Sequence, residues 1–204
     1  MAPLLCMLLL LQSPSGEGMA VPAHATTTVR ATRAESAPAI DGRDDDAVWA
    51  ATPLIDQFSE ARPTEGAAPK VATTARVAYD DHSLYIFVRA FDPHPDSIVA
   101  HLARRDEDTP SDHITVLLDP YHDRRTGYEF LVNPAGVKAD YAIYNDGNED
   151  IAWDGVWDVA TRVDSLGWTA EYRIPLSQLH YSAHGDGTFG LLIWRQVQRY
   201  TEVV

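Results

Sequence analysis

The sequence contains a single cysteine, Cys6, and it sits inside an apolar run at the N-terminus. The rest of the chain therefore cannot build a disulfide, a zinc–thiolate site or a cysteine nucleophile. Positive charge is also scarce: 16 Lys and Arg stand against 30 Asp and Glu, a formal net charge of −14. That balance excludes a non-specific nucleic-acid binder, which needs a basic surface to displace counterions from phosphate. It equally disfavours an anionic lipid surface as partner. No stretch approaches the roughly 20 apolar residues that a membrane-spanning helix needs. The sequence has no Gly-x-Ser-x-Gly elbow, no His-Glu-x-x-His and no phosphate-binding glycine loop. Its eight histidines are scattered, with no ligand spacing along one face. Long helical periodicity is missing too, which excludes folds built from β-α-β units.

What is present begins with Leu4 to Leu11, an almost unbroken apolar run, followed by a polar stretch and Ala23-His24-Ala25. A short apolar segment ahead of a small-x-small site reads as a signal peptide over residues 1–25, with export as the consequence. Residues 26–38 read as a lead-in segment or an edge strand, and residues 39–204 as one domain. The last residues, Tyr200 to Val204, carry no turn or polar tail. They read as a strand cut short or continuing into something else.

Strand patterns dominate the domain. Ala75, Val77 and Tyr79 alternate with Thr74 and Arg76, and the turn Asp80-Asp81-His82-Ser83 leads to Leu84 to Phe91, apolar on both faces. This predicts a hairpin whose second strand is central. Further strands are predicted over Ile114 to Asp119, Tyr128 to Val132, Val137 to Ile143, Trp157 to Val163, Trp168 to Ile174 and Phe189 to Val197. Asn133-Pro134-Ala135-Gly136 supplies a tight turn, with glycine available for positive φ. Asp44 to Asp46 precede a short helix anchored by Val48 and Trp49, and Leu176 to Leu179 suggests one helical turn. About eight strands at this spacing predict an all-β, antiparallel sandwich of jelly-roll type with one or two short helices.

Candidate site residues fall into three groups. Asn145-Asp146-Gly147-Asn148-Glu149-Asp150 is an oxygen-rich turn, and Asp146, Asn148 and Asp150 are candidate Ca²⁺ ligands. Arg104 and Arg105, and further on Arg195 and Arg199, can hold a hydroxyl-rich or anionic ligand by forked hydrogen bonding, or form internal networks with carboxylates. Trp153 and Trp157 flank Asp154-Gly155-Val156, with Tyr144 and Asn145 close by in sequence. A flat exposed ring beside polar groups suits the apolar face of a sugar, and Trp153, in a loop, is the better placed of the two. Trp157 and Trp168 alternate with polar residues and read as core.

Several of these motifs, in this order, resemble a known family. They are Ile40-Asp41-Gly42 with Val48-Trp49; Tyr79-Asp80-Asp81 with Leu84-Tyr85; Arg104-Arg105-Asp106-Glu107 with Asp112 and Leu118-Asp119; and Asp123 to Phe130 running into Asn133-Pro134-Ala135-Gly136. Trp153 to Trp157 and Gly167 to Pro175 complete the set. Together they resemble the N-terminal domain, similar to family 9 carbohydrate-binding modules, of a bacterial family of large envelope proteins. The resemblance implies a β-sandwich that binds carbohydrate, followed by an outer-membrane β-barrel region. It also implies a sugar held between two tryptophans, for which Trp153 and Trp157 are the nearest pair, and structural Ca²⁺. The expected function is non-catalytic carbohydrate binding by an exported protein. A docking domain without sugar binding and a glycoside hydrolase are the alternatives. If Ca²⁺ supports the fold, a chelator should lower the melting temperature of the purified domain; an unchanged Tm removes the metal from the account.

Overall fold

The computed structural model describes residues 28–145, 147–181 and 187–204, so the predicted signal peptide lies outside the described residues. Two sheets form the sandwich. The chain runs β1 (Thr32–Arg33), α1 (Ala47–Ala51), β2 (Thr73–Tyr79), β3 (Ser83–Phe91), β4 (His113–Asp119), β5 (Gly127–Val132) and β6 (Lys138–Tyr144). It continues through β7 (Asn148–Asp150), β8 (Asp158–Asp164), β9 (Gly167–Pro175), β10 (Gly190–Val197) and β11 (Glu202–Val203). The five-stranded sheet has the order β1-β2-β3-β9-β8 and the six-stranded sheet β11-β10-β4-β5-β6-β7. Each strand expected from alternation is present. β1 falls in the 26–38 segment read as a lead-in or edge strand, and β11 within the strand expected at Tyr200 to Val204; the addition is β7, three residues long and too short to show a pattern. β1 runs parallel to β2, the one departure from antiparallel pairing among these strands. The helical turn expected at Leu176 is a 3-10 helix, Leu176–Gln178.

Alternation decides what faces inward. Ile86, Val88, Ala90, Trp168, Ala170, Tyr172 and Ile174 of one sheet meet Ile114, Val116, Leu118, Phe130 and Val132 of the other, all at most 1% exposed. Trp157 stacks on Tyr172, with ring centroids 5.8 Å apart. The Tyr172 hydroxyl donates to the Ile114 carbonyl at 3.0 Å, so the one polar atom on this buried ring ties the two sheets together. Burial alone raises its pKa well above the ordinary tyrosine value. Two glycines mark turns that need them. Gly136 has φ +81° and closes the predicted Asn133 turn with an N–H to the Asn133 carbonyl at 2.9 Å. Gly167 has φ +134°, and a Cβ there would meet the Ala90 carbonyl oxygen at 2.1 Å.

The outer face of the five-stranded sheet is closed. Tyr85 and Phe87 are apolar on that side, and Trp49 covers them, its ring centroid 5.6 Å from that of Phe87. Glu171 and Thr169, the outward residues of β9, would face water in an isolated strand, yet both are fully buried. Glu171 accepts three hydrogen bonds: Trp49 Nε1–H at 2.9 Å, Gly42 N–H at 2.8 Å and Asp41 N–H at 3.0 Å. Thr169 donates to the Gly42 carbonyl at 2.7 Å. The Ile40-Asp41-Gly42 and Val48-Trp49 motif is thus a lid pinned to the Gly167 to Pro175 motif.

At one end of the sandwich Arg195 points inward, fully buried, and donates to the carbonyls of Ala72 and Phe91. Desolvation lowers its pKa to about 10. Arg199 grips both oxygens of buried Asp92, at 2.7 and 2.8 Å. These two arginines therefore belong to an internal carboxylate network rather than to a ligand site. Replacing Glu171 with Ala should strand three donors, two of them buried. A loss of about 3 kcal/mol or more is expected from such a change, read by urea unfolding at pH 7; a loss within 0.5 kcal/mol would show that the lid does not depend on this carboxylate.

Candidate functional site on the open sheet face

Only one broad sheet face remains to be read, the outer side of the six-stranded sheet, and its residues follow from register. Trp194 pairs with Thr115, and Thr115 with Leu131, which pairs with Ala139. The neighbouring row is Leu192, Leu117, Glu129 and Tyr141. Gln196 lies opposite His113 at one end, and Ile143 opposite Glu149 at the far edge. Period-2 alternation puts all of these on the side away from the core. Trp194 on β10 and Tyr141 on β6 are both half-buried and are three strands apart, about 14 Å at ordinary strand spacing. Between them lie Leu117 and Leu131, half-buried, while Leu192 is exposed. Residues Glu107, Asp108 and Thr109 of the loop before β4 border a small hollow with His113, Leu131 and Tyr141. The face thus offers two aromatic rings, an apolar floor, and an amide, an imidazole and carboxyl groups around it.

Its electrostatics are one-sided. Among the described residues, the sheet positions of this face carry no Lys or Arg. Glu129 is 8% exposed and has no hydrogen-bond partner among the described residues. Burial, with Glu149 nearby, raises its pKa to about 7. Burial also lowers the pKa of His113, so that imidazole is neutral at pH 7. Tyr141 is pushed up by burial and then by Glu129 and Glu149.

The residues expected from sequence lie elsewhere. Trp157 is 2% exposed and packed between Phe130 and Tyr172, which leaves no ring face for a ligand. Trp153, expected to be exposed, is tucked against Tyr128 and Phe130, with centroids at 4.9 and 5.9 Å. The loop between them is held down by Asp140, a fully buried carboxylate that accepts Gly155 N–H at 2.6 Å and Trp157 Nε1–H at 3.2 Å. Arg105 completes this knot by pairing with Asp140, with Asp154 at 2.7 Å and with the Gly155 carbonyl at 2.8 Å. Burial is the largest single effect and works against its charge, but the Asp140 hydrogen bond together with the charges of Asp140, Asp154 and Asp106 outweighs it and the pKa is raised. Arg104 is exposed in the turn, where its N–H donates to Glu107 at 3.0 Å.

Tyr144, Asn145, Asn148 and Asp150 belong to the β6–β7 hairpin. Asn148 and Asp150 sit on β7 itself, opposite Tyr144 and Ala142, so they project to the other side of the sheet from Trp194. Asn148 Nδ2 donates to the Asn145 carbonyl, and Asp150 accepts from Ala152 N–H. Asp146, the third candidate Ca²⁺ ligand, lies outside the described residues. A second aromatic hollow borders Tyr121, Tyr128, Ile143 and His180, but its Tyr128 hydroxyl is already bonded to His180 Nδ1 at 2.6 Å. Trp194, Tyr141 and Glu129 escape a local reading because each looks ordinary within its own strand. The signal for Trp194 is the alternation Leu192-x-Trp194-x-Gln196 on a strand whose odd positions point inward.

Comparison with known proteins agrees with this architecture. Residues 40–194 match the model of the family described as carbohydrate family 9 binding domain-like. A family 9 carbohydrate-binding module from Caldicellulosiruptor kristjanssonii, solved with cellotriose, superposes with a TM-score of 0.58 at 20% identity, over 86% of this chain and 81% of that one. One from the same organism, solved with glucose, gives 0.59 at 21%, over 85% and 81%. At these identities the likeness carries the fold. No curated protein matches the sequence significantly.

A buried carboxyl raised to about 7 is protonated in the fold at pH values where the unfolded chain has lost the proton. Its contribution to stability is present below the unfolded value and is lost as pH rises towards about 7. Glu129→Gln should therefore stabilise the domain at pH 8 and change little at pH 4.5, read by urea unfolding. No gain at pH 8 would mean that the carboxyl is well solvated.

Proposed function

Because the chain belongs to the carbohydrate family 9 binding domain-like family, we propose that it is a non-catalytic carbohydrate-binding domain whose ligand lies on the outer face of the six-stranded sheet. The observation that carries this reading is the pairing of an open, half-buried aromatic platform, Trp194 and Tyr141, with hydrogen-bonding groups set among apolar side chains. Sugar rings have an apolar face that packs on aromatic surface and a rim of hydroxyls that needs polar partners. Gln196 supplies a donor and an acceptor in one side chain, and neutral His113, whose N–H is directed to the Ser111 backbone, supplies an acceptor. The other sheet face cannot serve, since the Trp49 lid covers it. The relatives solved with cellotriose and glucose make β-linked glucose oligomers the first probes to use.

The charge of the face sharpens the choice of ligand. Asp108, Glu129 and Glu149 surround it and no sheet position supplies a compensating cation, so a neutral glycan fits better than a uronate or sulfated one. We further read the protein as exported, on the strength of the Leu4 to Leu11 run and the Ala23-His24-Ala25 site. A barrel region after Val204, expected from the resemblance, would hold such a domain at the cell envelope.

Calorimetric titration tests the reading. The domain should bind cellotriose and should not bind a galacturonic acid trimer, and Trp194→Ala should weaken cellotriose binding at least tenfold with the fold intact by circular dichroism. Undiminished binding by that variant would move the site off this face.

A further inference from the structure

Glu129 stands out as the one carboxyl in the middle of the platform. It is 8% exposed, flanked across the strands by Leu117 and Tyr141, and has no hydrogen-bond partner among the described residues. Its carboxyl oxygens are not fully enclosed and reach the surface of the platform, where a ligand's hydroxyls can meet them. The groups around it give it no reason to be charged. Strand β7 presents Glu149, β6 presents the phenol of Tyr141, β4 presents His113 and Asp119, and the bordering loop brings Asp106 and Asp108. His113 is held neutral by burial. Lys138 on β6 is turned away, its ammonium donating to the Trp157 carbonyl at 2.8 Å.

Resting on the carbohydrate-binding reading, we propose that Glu129 is the residue that fixes the sugar, accepting two hydroxyl hydrogen bonds as a carboxylate, and that binding near neutral pH therefore expels its proton. Neighbouring hydroxyls on a pyranose ring form a pair of donors that can meet the two oxygens of one carboxylate. Such bonds are charge-assisted and about twice as strong as neutral ones. In the free protein no described residue donates to the carboxyl, and burial keeps its proton on up to about pH 7. The sugar supplies the missing donors and stabilises the charged form. The bond that breaks is Glu129 O–H, and the proton passes to solvent. The direction is diagnostic. A sugar that merely covered the carboxyl would deepen its burial, raise its pKa and take up a proton instead. By linkage, the affinity must then rise with pH between the bound and free pKa values, by up to about tenfold per pH unit.

The test is titration of the domain with cellotriose at pH 6 and pH 8, and at pH 6.5 in buffers of different ionisation enthalpy. The expected results are proton release on binding, tighter binding at pH 8 by several-fold or more, and loss of both effects in Glu129→Gln, which also binds at least tenfold more weakly at pH 8. Binding by the parent with equal affinity at both pH values and no proton released overturns the inference and leaves the carbohydrate reading standing. So does proton uptake, or a pH dependence that persists in Glu129→Gln, which assigns the titration to His113. No binding of cellotriose at either pH overturns both.

Discussion

The Glu171 carboxylate gathers the Trp49 indole N–H and the two backbone N–H groups of the Asp41-Gly42 turn. That buried cluster lays the N-terminal segment across the five-stranded sheet and decides which side of the sandwich can meet a ligand. Burying a carboxylate is costly unless donors surround it, and here three do. Even so, desolvation outweighs them and its pKa stays raised. With one face closed, the two-faced apolar pattern of β3 makes sense: Ile86 and Val88 fill the sandwich while Tyr85 and Phe87 fill the space under the lid.

The same physics is used differently on the six-stranded sheet. Its inner face is apolar over β4 and β5, with Arg195 of β10 and Asp140 of β6 buried on either side of them, and its outer face mixes Trp194, Tyr141 and Leu117 with Glu129, His113 and Gln196. Glu171 and Glu129 occupy similar depths, and of the two only Glu171 has hydrogen-bond partners among the described residues. One carboxylate is a structural rivet. The other is set in a platform with its hydrogen-bonding capacity still open, which is what a binding surface needs.

The sandwich was legible in the sequence because period-2 alternation is a local signal that β2, β5, β6 and β9 show over six residues or more, while β3 is marked by an apolar run on both faces. The faces were less so. Thr169 and Glu171 look like solvent positions, and their covering segment comes from more than 120 residues away. Trp153 and Trp157 look like a paired platform because they are close in sequence. Trp157 is internal and Trp153 lies half-buried against Tyr128 and Phe130, because Asp140 and Arg105, from two other segments, pull their loop onto the core. The platform itself is assembled across β10, β4, β5 and β6, which no window of consecutive residues contains.

The claim that the open sheet face is the sugar site is tested most directly by residue-resolved NMR of the domain during titration with cellotriose. The account predicts that the shifts concentrate on the Trp194 indole and on the amides of residues 113–119, 127–131, 139–143 and 192–196. Shifts confined to the Tyr121–His180 hollow or to the β6–β7 hairpin, with the Trp194 indole unmoved, would contradict it.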